Sequence, residues 1–175
     1  FSIMEKIQKD IENIQTKYYD KNSKNQFFKN TQKANIAKQV CSNIDIEQLL
    51  LHTLEVKENT VTIEYPVLKL FCHDENHDQC ITYILDKFKE LISKYDNYNC
   101  VINLDTFTIS SADRHRKLIE KFCGACLNDA DTQYSENLKT LYIINSPNIM
   151  ESLYKLFNSF IVPTVKSKIT LVSKK

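Results

Sequence analysis

From residue 60 onward, the chain alternates short apolar runs with amphipathic helical segments, and this alternation restricts the fold more than any other feature. The apolar runs, predicted as strands, lie at residues 61–71, 99–105, 138–145 and 168–173, and the helical segments lie at 78–95, 110–127 and 146–161. Short continuous apolar strands separated by helices are typical of parallel sheets. The sequence therefore predicts an α/β fold with a mainly parallel sheet that is covered by helices.

The first third of the chain has a different texture, which predicts a helical N-terminal extension over 1–58 followed by an α/β domain over 59–175. Isoleucines recur at helical spacing over residues 3–18 and form one face of an amphipathic helix. Residues 20–35 are polar and are interpreted as a loop or a weakly helical link. A third helix is predicted to begin at Asp45, which is a favoured N-cap residue.

Glycine is almost absent, because Gly124 is the single glycine of the 175 residues. Phosphate-binding loops need several glycines so that the backbone can approach the phosphate. A Walker A loop, a dinucleotide-binding fingerprint and a G-x-S-x-G nucleophile elbow are therefore excluded. The net charge of +1 gives no reason to expect nucleic acid as a partner, and no apolar run approaches the roughly 18 residues of a transmembrane span.

The six cysteines lie in apolar or helical contexts that are typical of reduced, buried thiols. This placement predicts an intracellular protein in a reducing compartment, with the cytoplasm as the default. The chain begins with Phe1 instead of Met, which leaves an organelle as an alternative.

The segment FCHDENHDQC at residues 71–80 contains Cys72, His73, His77 and Cys80, which are potential zinc ligands. Cys72 is predicted to end a strand, so the adjacent side chains of Cys72 and His73 point to opposite faces and do not easily share one ion. A polar loop that leads into a helix capped by Asp78 is the alternative, and we predict no metal site.

The C-G-A-C motif of Cys123 and Cys126 has the spacing of a thioredoxin-like redox site. Such motifs lie at the start of a helix, where the helix dipole stabilises the thiolate. Here the motif falls near the end of the predicted helix, which favours a structural role.

The segment Asp113–Arg116 brings together an acid, a histidine and both arginines of the chain, Arg114 and Arg116. A solvated, capped helix face is one interpretation, and a docking site for a partner that uses the two arginines is the other.

The phrase YSENLKTLYIINSPNIMESLYKLFNSFIVPTVKSKITLVS at residues 134–173 resembles the C-terminal half of CRAL-TRIO domains. The segment upstream is similar to the divergent branch of that family found beside Rho GTPase-activating domains and in BCH scaffold proteins. Together the resemblance covers residues 60–173. Asn158 and Ser159 depart from the Lys and Pro of the family pattern, and the family's gating helix has no counterpart before Lys175, so the predicted domain is C-terminally short.

The resemblance implies an apolar pocket between the sheet and helices near 110–127 and 148–161, in which family members bind hydrophobic ligands. The pocket residues that it implies here are Phe107, Tyr142, Ile144, Met150, Tyr154, Phe157 and Phe160. The aromatic residues among them also fit a purely structural role in the core.

The function predicted from the sequence is that of a non-enzymatic module, without cofactor, that binds a lipid or another hydrophobic small molecule. The alternative is a protein-interaction or structural subunit of a larger assembly that keeps the fold without lipid transfer. The stretch to residue 40 carries eight lysines against four acids, with Phe27 and Phe28 among them. Weak membrane-surface or nucleic-acid binding is one interpretation of that pattern, and docking of the helix onto its own domain or onto a partner is the favoured one.

Overall fold

The computed structural model of the chain describes residues 2–127, 132–148, 151, 154–155 and 158–174. Its helices are α1 (Ile3–Lys21), α2 (Lys29–Asn43), α3 (Ile46–Thr53), α4 (Tyr65–Leu68), α5 (His77–Tyr95), α6 (Ile109–Arg114), α7 (Arg116–Cys126), α8 (Thr132–Asn137) and α9 (Pro163–Lys166). Its strands are β1 (Leu54–Lys57), β2 (Thr60–Glu64), β3 (Tyr98–Asn103), β4 (Leu138–Ser146) and β5 (Ile169–Ser173). The helix predicted over 146–161 lies partly outside the described residues, and Asn158–Phe160 form a 3-10 turn.

The five strands form one sheet in the order β1-β2-β3-β4-β5. β2, β3, β4 and β5 run parallel to one another, and β1 pairs with β2 in the antiparallel sense. Cys100 on β3 lies between Val61 on β2 and Leu141 on β4. The prediction of a mainly parallel α/β fold is confirmed.

The two faces of the sheet differ in chemistry. Val61, Cys100 and Leu141 lie on the face that packs in one core cluster with Ile84 and Phe88 of α5. Apolar burial on this face is the main stabilising interaction of the sheet.

The opposite face carries polar side chains that hydrogen-bond across the strands. Thr140 Oγ1 donates to Asn99 Oδ1 at 2.7 Å, and Asn103 Nδ2 donates to Glu64 Oε2 at 2.8 Å. These cross-strand pairs give this face the character of a partly solvated surface, although parallel sheets are usually apolar on both faces.

Residues 29–35 belong to helix α2, which agrees with the helical alternative for this polar stretch and not with a loop. The helix buries Ile36, Ala37 and Val40 on one side, while its exposed side is rich in Lys, Asn and Gln. The stability of this helix comes more from the packing of its buried side than from the helix propensity of its polar residues. The predicted loop shortens to the residues between α1 and α2.

Proline ends the first parallel strand earlier than predicted. β2 stops at Glu64, and Pro66 lies in the first turn of α4, where its missing N–H costs no hydrogen bond. Cys72 consequently lies after α4 and does not end a strand, which corrects the prediction for that residue.

The predicted helix over 110–127 is divided at His115 into α6 and α7. The N-cap of α6 is Thr108, whose Oγ1 accepts from the backbone N–H of Ser111. The break gives His115 a non-helical ψ of 14° and turns its ring into the interior.

The N-terminal helices share a core with the rest of the chain. Ile11 of α1, Val40 of α2 and Leu49 of α3 pack in one cluster with residues that follow them in the chain: Leu68, Phe71, Cys80, Ile81 and Leu118. The extension proposed over 1–58 is thus packed directly on α4, α5 and α7.

Candidate functional site

The histidine- and cysteine-rich segment between α4 and α5 is organised by Asn76. Its Nδ2 donates to the backbone oxygen of Phe71 at 2.9 Å, and its Oδ1 accepts from the backbone N–H of His73 at 2.9 Å. Asn76, and not Asp78, is the N-cap residue of α5. The polar groups of this loop therefore satisfy its own backbone.

The Cys72 thiol of the same segment is protonated. A hydrogen bond to Cys80 and burial raise the pKa of Cys72 well above its usual range. Zinc binds the thiolate form, so this environment opposes ligation. In the described part of the chain, no three His, Cys, Asp or Glu side chains lie close enough together to hold a metal ion.

The C-G-A-C motif occupies the last turn of α7. Burial raises the pKa of Cys123 to about 12, and burial together with Cys123 and Cys100 raises that of Cys126 well above its usual range. Cys126 Sγ donates to the backbone oxygen of Phe122 at 3.0 Å. A redox cysteine needs an accessible thiolate. Both cysteines of this motif are instead buried and protonated.

A cavity of about 180 Å³ lies between the apolar face of the sheet and the helices that cover it. Its floor is formed by strand residues: Ile63, Ile102, Leu141, Ile143 and Ile169. Its walls come from the helices and connections above: Tyr65, Leu68, Cys80, Ile84, Leu104, Phe107, His115, Leu118, Ile119, Phe122, Cys123, Leu127, Tyr154 and Ile161. The accessible wall is entirely apolar, and none of the described residues that line it carries a charged side chain.

The position of the cavity follows from the topology of the sheet. Ile63, Ile102 and Ile143 are register neighbours near the carboxyl ends of β2, β3 and β4. Leu141 and Ile169 extend the floor to the middle of β4 and the start of β5. The cavity therefore lies over the apolar face of the sheet, beneath the helices that cover it.

The seven pocket residues implied by the resemblance are distributed unevenly. Phe107 and Tyr154 line the cavity, and Phe160 packs against the same core clusters without lining it. Tyr142 and Ile144 alternate with the lining residues Leu141 and Ile143, so they lie on the opposite face of β4.

Two of the seven residues, Met150 and Phe157, lie outside the residues that the structure describes. The role of all seven in a pocket stays a prediction.

The two arginines of the proposed docking site differ in solvent exposure. Arg114 is half-buried, and its Nη1 donates to Asn30 Oδ1 of α2 at 3.1 Å. Arg116 is exposed at the start of α7. Arg114 thus links α6 to α2 through this hydrogen bond. Docking of a partner by the two arginines stays a prediction.

Two lining residues that the sequence analysis missed, Tyr65 and His115, form a polar corner. Their side chains are 5% and 3% exposed, and their rings meet edge to face at 5.8 Å between centroids. Neither Tyr65 Oη nor His115 Nε2 has a hydrogen-bond partner among the described residues. A buried polar atom without a partner costs free energy, so natural proteins retain few of them.

Both groups of the polar corner are neutral. Burial raises the pKa of Tyr65, although Ser111 and Arg114 lie near enough to oppose that change. Burial, followed by the charges of Arg114, His77 and Lys33, lowers the pKa of His115 to about 3, with Asp74 opposing weakly. A tyrosine inside a β-to-α junction and a histidine at a helix break give no periodic signal, so the sequence could not single them out.

The chain matches the profile of a known domain family over most of its length. The profile of the CRAL/TRIO domain matches residues 16–175. The chain belongs to the CRAL/TRIO domain family. The match starts inside α1, so it includes most of the N-terminal helices as well as the sheet.

The solved structures agree with this assignment at the level of the fold. The CRAL/TRIO chain is similar to the structure titled "Crystal structure of Sfh5", with a TM-score of 0.56 and 14% identity, over 97% of this chain and 68% of that chain. The search of curated proteins gives no match. None of the helices in the described part of the chain has the length and apolarity needed to cross a membrane.

The partnerless hydroxyl of Tyr65 predicts an unusual result for Tyr65→Phe. Removing it should leave the free energy of unfolding unchanged or raise it by about 1 kcal/mol, because no hydrogen bond is lost and an unpaired buried hydroxyl is removed. Tyr98→Phe is the matched control, since Tyr98 Oη donates to the backbone oxygen of Tyr134 at 2.8 Å. That variant should lose about 1–2 kcal/mol in urea unfolding. Equal losses in the two variants would show that Tyr65 does have a partner.

Neutral burial of His115 predicts that acid destabilises the protein. The unfolded chain takes up a proton near pH 6.5, whereas the folded chain does so only near pH 3. His115 therefore stabilises the fold fully above pH 6.5, and that contribution is lost as the pH falls towards 3. In His115→Leu, the free energy of unfolding between these limits should vary less with pH, by about 1.4 kcal/mol per pH unit. Parallel pH profiles for wild type and variant would contradict this assignment.

Proposed function

We propose that the chain is a non-enzymatic module that binds a hydrophobic ligand, such as a lipid segment, in the cavity above the carboxyl ends of β2–β4. CRAL/TRIO domains generally bind lipids. The observation that carries the proposal is the continuous apolar wall of the cavity. Each Å² of apolar ligand surface that enters it would stabilise the complex by roughly 25 cal/mol.

The charge state of the wall restricts the ligand. A carboxylate or phosphate would lose its hydration without gaining a cation, because none of the described lining residues is charged. The polar corner of Tyr65 and His115 is uncharged at neutral pH. We therefore infer that the buried part of the ligand is uncharged, and that any ionised head group stays outside the cavity.

The titratable groups of the cavity favour binding over catalysis. The pKa of Cys123 is raised to about 12 and that of His115 is lowered to about 3. A general acid or base works best with a pKa near the ambient pH, and a nucleophilic cysteine needs the thiolate. Neither group meets these conditions, which supports the non-enzymatic part of the proposal.

The size of the cavity gives weight to a second candidate. Sites for drug-sized ligands occupy roughly 300–1,000 Å³, whereas this cavity has about 180 Å³. A dry cavity of about 150 Å³ can hold one aromatic ring. The space as it stands suits a ring or a short chain segment, and a larger lipid would require displacement of the segment containing Tyr154 and Ile161. A protein-interaction or structural subunit that keeps the fold with a reduced pocket is therefore the alternative.

A cavity-filling substitution tests the first candidate. Ile119 lines the cavity from α7 and is only partly buried. The larger side chain of Ile119→Trp should therefore occupy the cavity without disrupting the packing of the core. Wild-type protein should bind the uncharged single-ring ligand toluene, and Ile119→Trp should weaken that binding at least about tenfold. Isothermal titration calorimetry measures the affinity, and circular dichroism verifies the fold.

Ile3→Trp is the matched control, because Ile3 is exposed on α1 and does not line the cavity. It should bind the probe as wild type does. Native mass spectrometry of the wild-type protein adds a second readout, since a retained lipid would appear as an extra mass. No probe binding and a bare polypeptide mass would overturn the first candidate and favour the interaction subunit.

A further inference from the structure

The connection between α1 and α2 exposes two adjacent aromatic side chains. Phe27 is 97% exposed and Phe28 is 61% exposed. Ile109, the first residue of α6, is 63% exposed. Single exposed apolar residues are common, but grouped bulky ones mark interaction surfaces.

Hydrogen bonds hold these apolar residues on one side of the molecule. Asn30, in the first turn of α2, accepts at Oδ1 from Ser110 Oγ at 3.2 Å and from Arg114 Nη1 at 3.1 Å. Its Nδ2 donates to Asp113 Oδ2 at 3.3 Å. The start of α2, next to Phe28, is therefore fixed against the start of α6, next to Ile109.

Basic side chains surround the same junction. Burial and the charges of Arg114, Lys29, Lys69 and Lys24 lower the pKa of Lys33 to about 8, so these five cations are near neighbours. None of the five makes an ion pair with a described carboxylate. Of the nearby acids, Asp113 is bonded to Asn30, and Asp105 forms an ion pair with Lys174.

We propose that this surface, formed by Phe27, Phe28 and Ile109 with Lys24, Lys29, Lys33, Lys69 and Arg114, docks onto an anionic lipid bilayer. The phenylalanines enter the region between head groups and acyl chains, and the cations contact anionic head groups. An apolar anchor combined with a basic cluster is the pairing that gives stable peripheral attachment.

A bilayer fits this surface better than an acidic protein does. The aromatic residues lie in a connection whose other exposed residues, such as Ser23 and Asn25, are small or polar. The chain as a whole has a net charge of +1, so the five clustered cations are a local feature and not a property of the whole chain. The cations favour an anionic partner, and the exposed phenylalanine side chains favour one with an apolar interior that they can enter.

The docking surface adjoins a wall of the cavity. Phe107 lines the cavity two residues before Ile109, and Lys69 Nζ donates to Thr106 Oγ1 at 2.8 Å. Docking would bring this wall of the cavity to the bilayer surface. The docking proposal itself does not need a ligand in the cavity, and its test reads vesicle binding alone.

A single-tryptophan reporter tests insertion directly, because the chain contains no tryptophan. The emission of Phe27→Trp should shift to shorter wavelength when phosphatidylcholine vesicles with about one-third phosphatidylserine are added. Ile3→Trp, a reporter at an exposed position of α1 outside the proposed surface, should show no shift. No shift for Phe27→Trp while the protein sediments with vesicles would place the contact elsewhere and overturn the proposal.

Vesicle sedimentation then separates the apolar and basic contributions. Phe27→Ser with Phe28→Ser should weaken binding to the anionic vesicles about tenfold or more, and Lys24→Gln with Lys29→Gln should weaken it by a similar factor and reduce its salt dependence. The matched controls are Leu51→Ser with Val56→Ser and Lys57→Gln with Lys89→Gln, which change exposed residues outside this surface.

The controls should bind as wild type does. Equal binding of wild type to neutral and anionic vesicles would overturn the proposal, as would unchanged binding of the phenylalanine double variant. Binding to polyglutamate or duplex DNA but not to vesicles would assign the surface to a macromolecular polyanion instead. Retention of toluene binding in the vesicle-deficient variants would show that the cavity proposal stands separately.

Discussion

Apolar packing between one face of β2–β4 and the helices α5 and α7 is the interaction on which the rest of the structure depends. Phe88 of α5 stacks on Tyr98 of β3, with ring centroids 4.6 Å apart. The hydroxyl of Tyr98 reaches the backbone oxygen of Tyr134, so the same side chain also fixes the entry into β4. These rings belong to the same core cluster as Leu141 and Ile143, which form part of the cavity floor.

The break between α6 and α7 connects the interior of the molecule with its surface. On the inner side, the break directs His115 towards Tyr65 and the cavity. On the outer side, Arg114 bonds to Asn30 and holds the start of α2 against α6. Helix α6 thus carries part of the proposed membrane surface, and the break that follows it places His115 in the wall of the cavity.

How far the sequence predicts the structure depends on whether periodicity carries the information. The helical spacing over 78–95 and the apolar runs at 99–105 and 138–145 correctly predicted α5, β3 and β4, since burial itself imposes those periods. Strand β1 was missed, because it is a short, exposed edge strand with no apolar run.

The cavity was predictable only in part. The family resemblance implies that a pocket lies above the sheet, but the side of β4 that faces it depends on the register. Tyr142 and Ile144 therefore could not be told apart from the true lining residues Leu141 and Ile143. Tyr65 and His115 depend on long-range packing that no local pattern reports.

Xenon binding is the most direct test of the central claim, which is that the helix-covered face of the sheet encloses a space suited to an apolar guest. Dry apolar cavities take up xenon, whereas filled or polar ones do not. A crystal of the protein under xenon pressure should show a bound atom beside Ile119 and Ile143, both of which line the cavity. Absence of xenon there, with side chains packed through that space, would contradict the account.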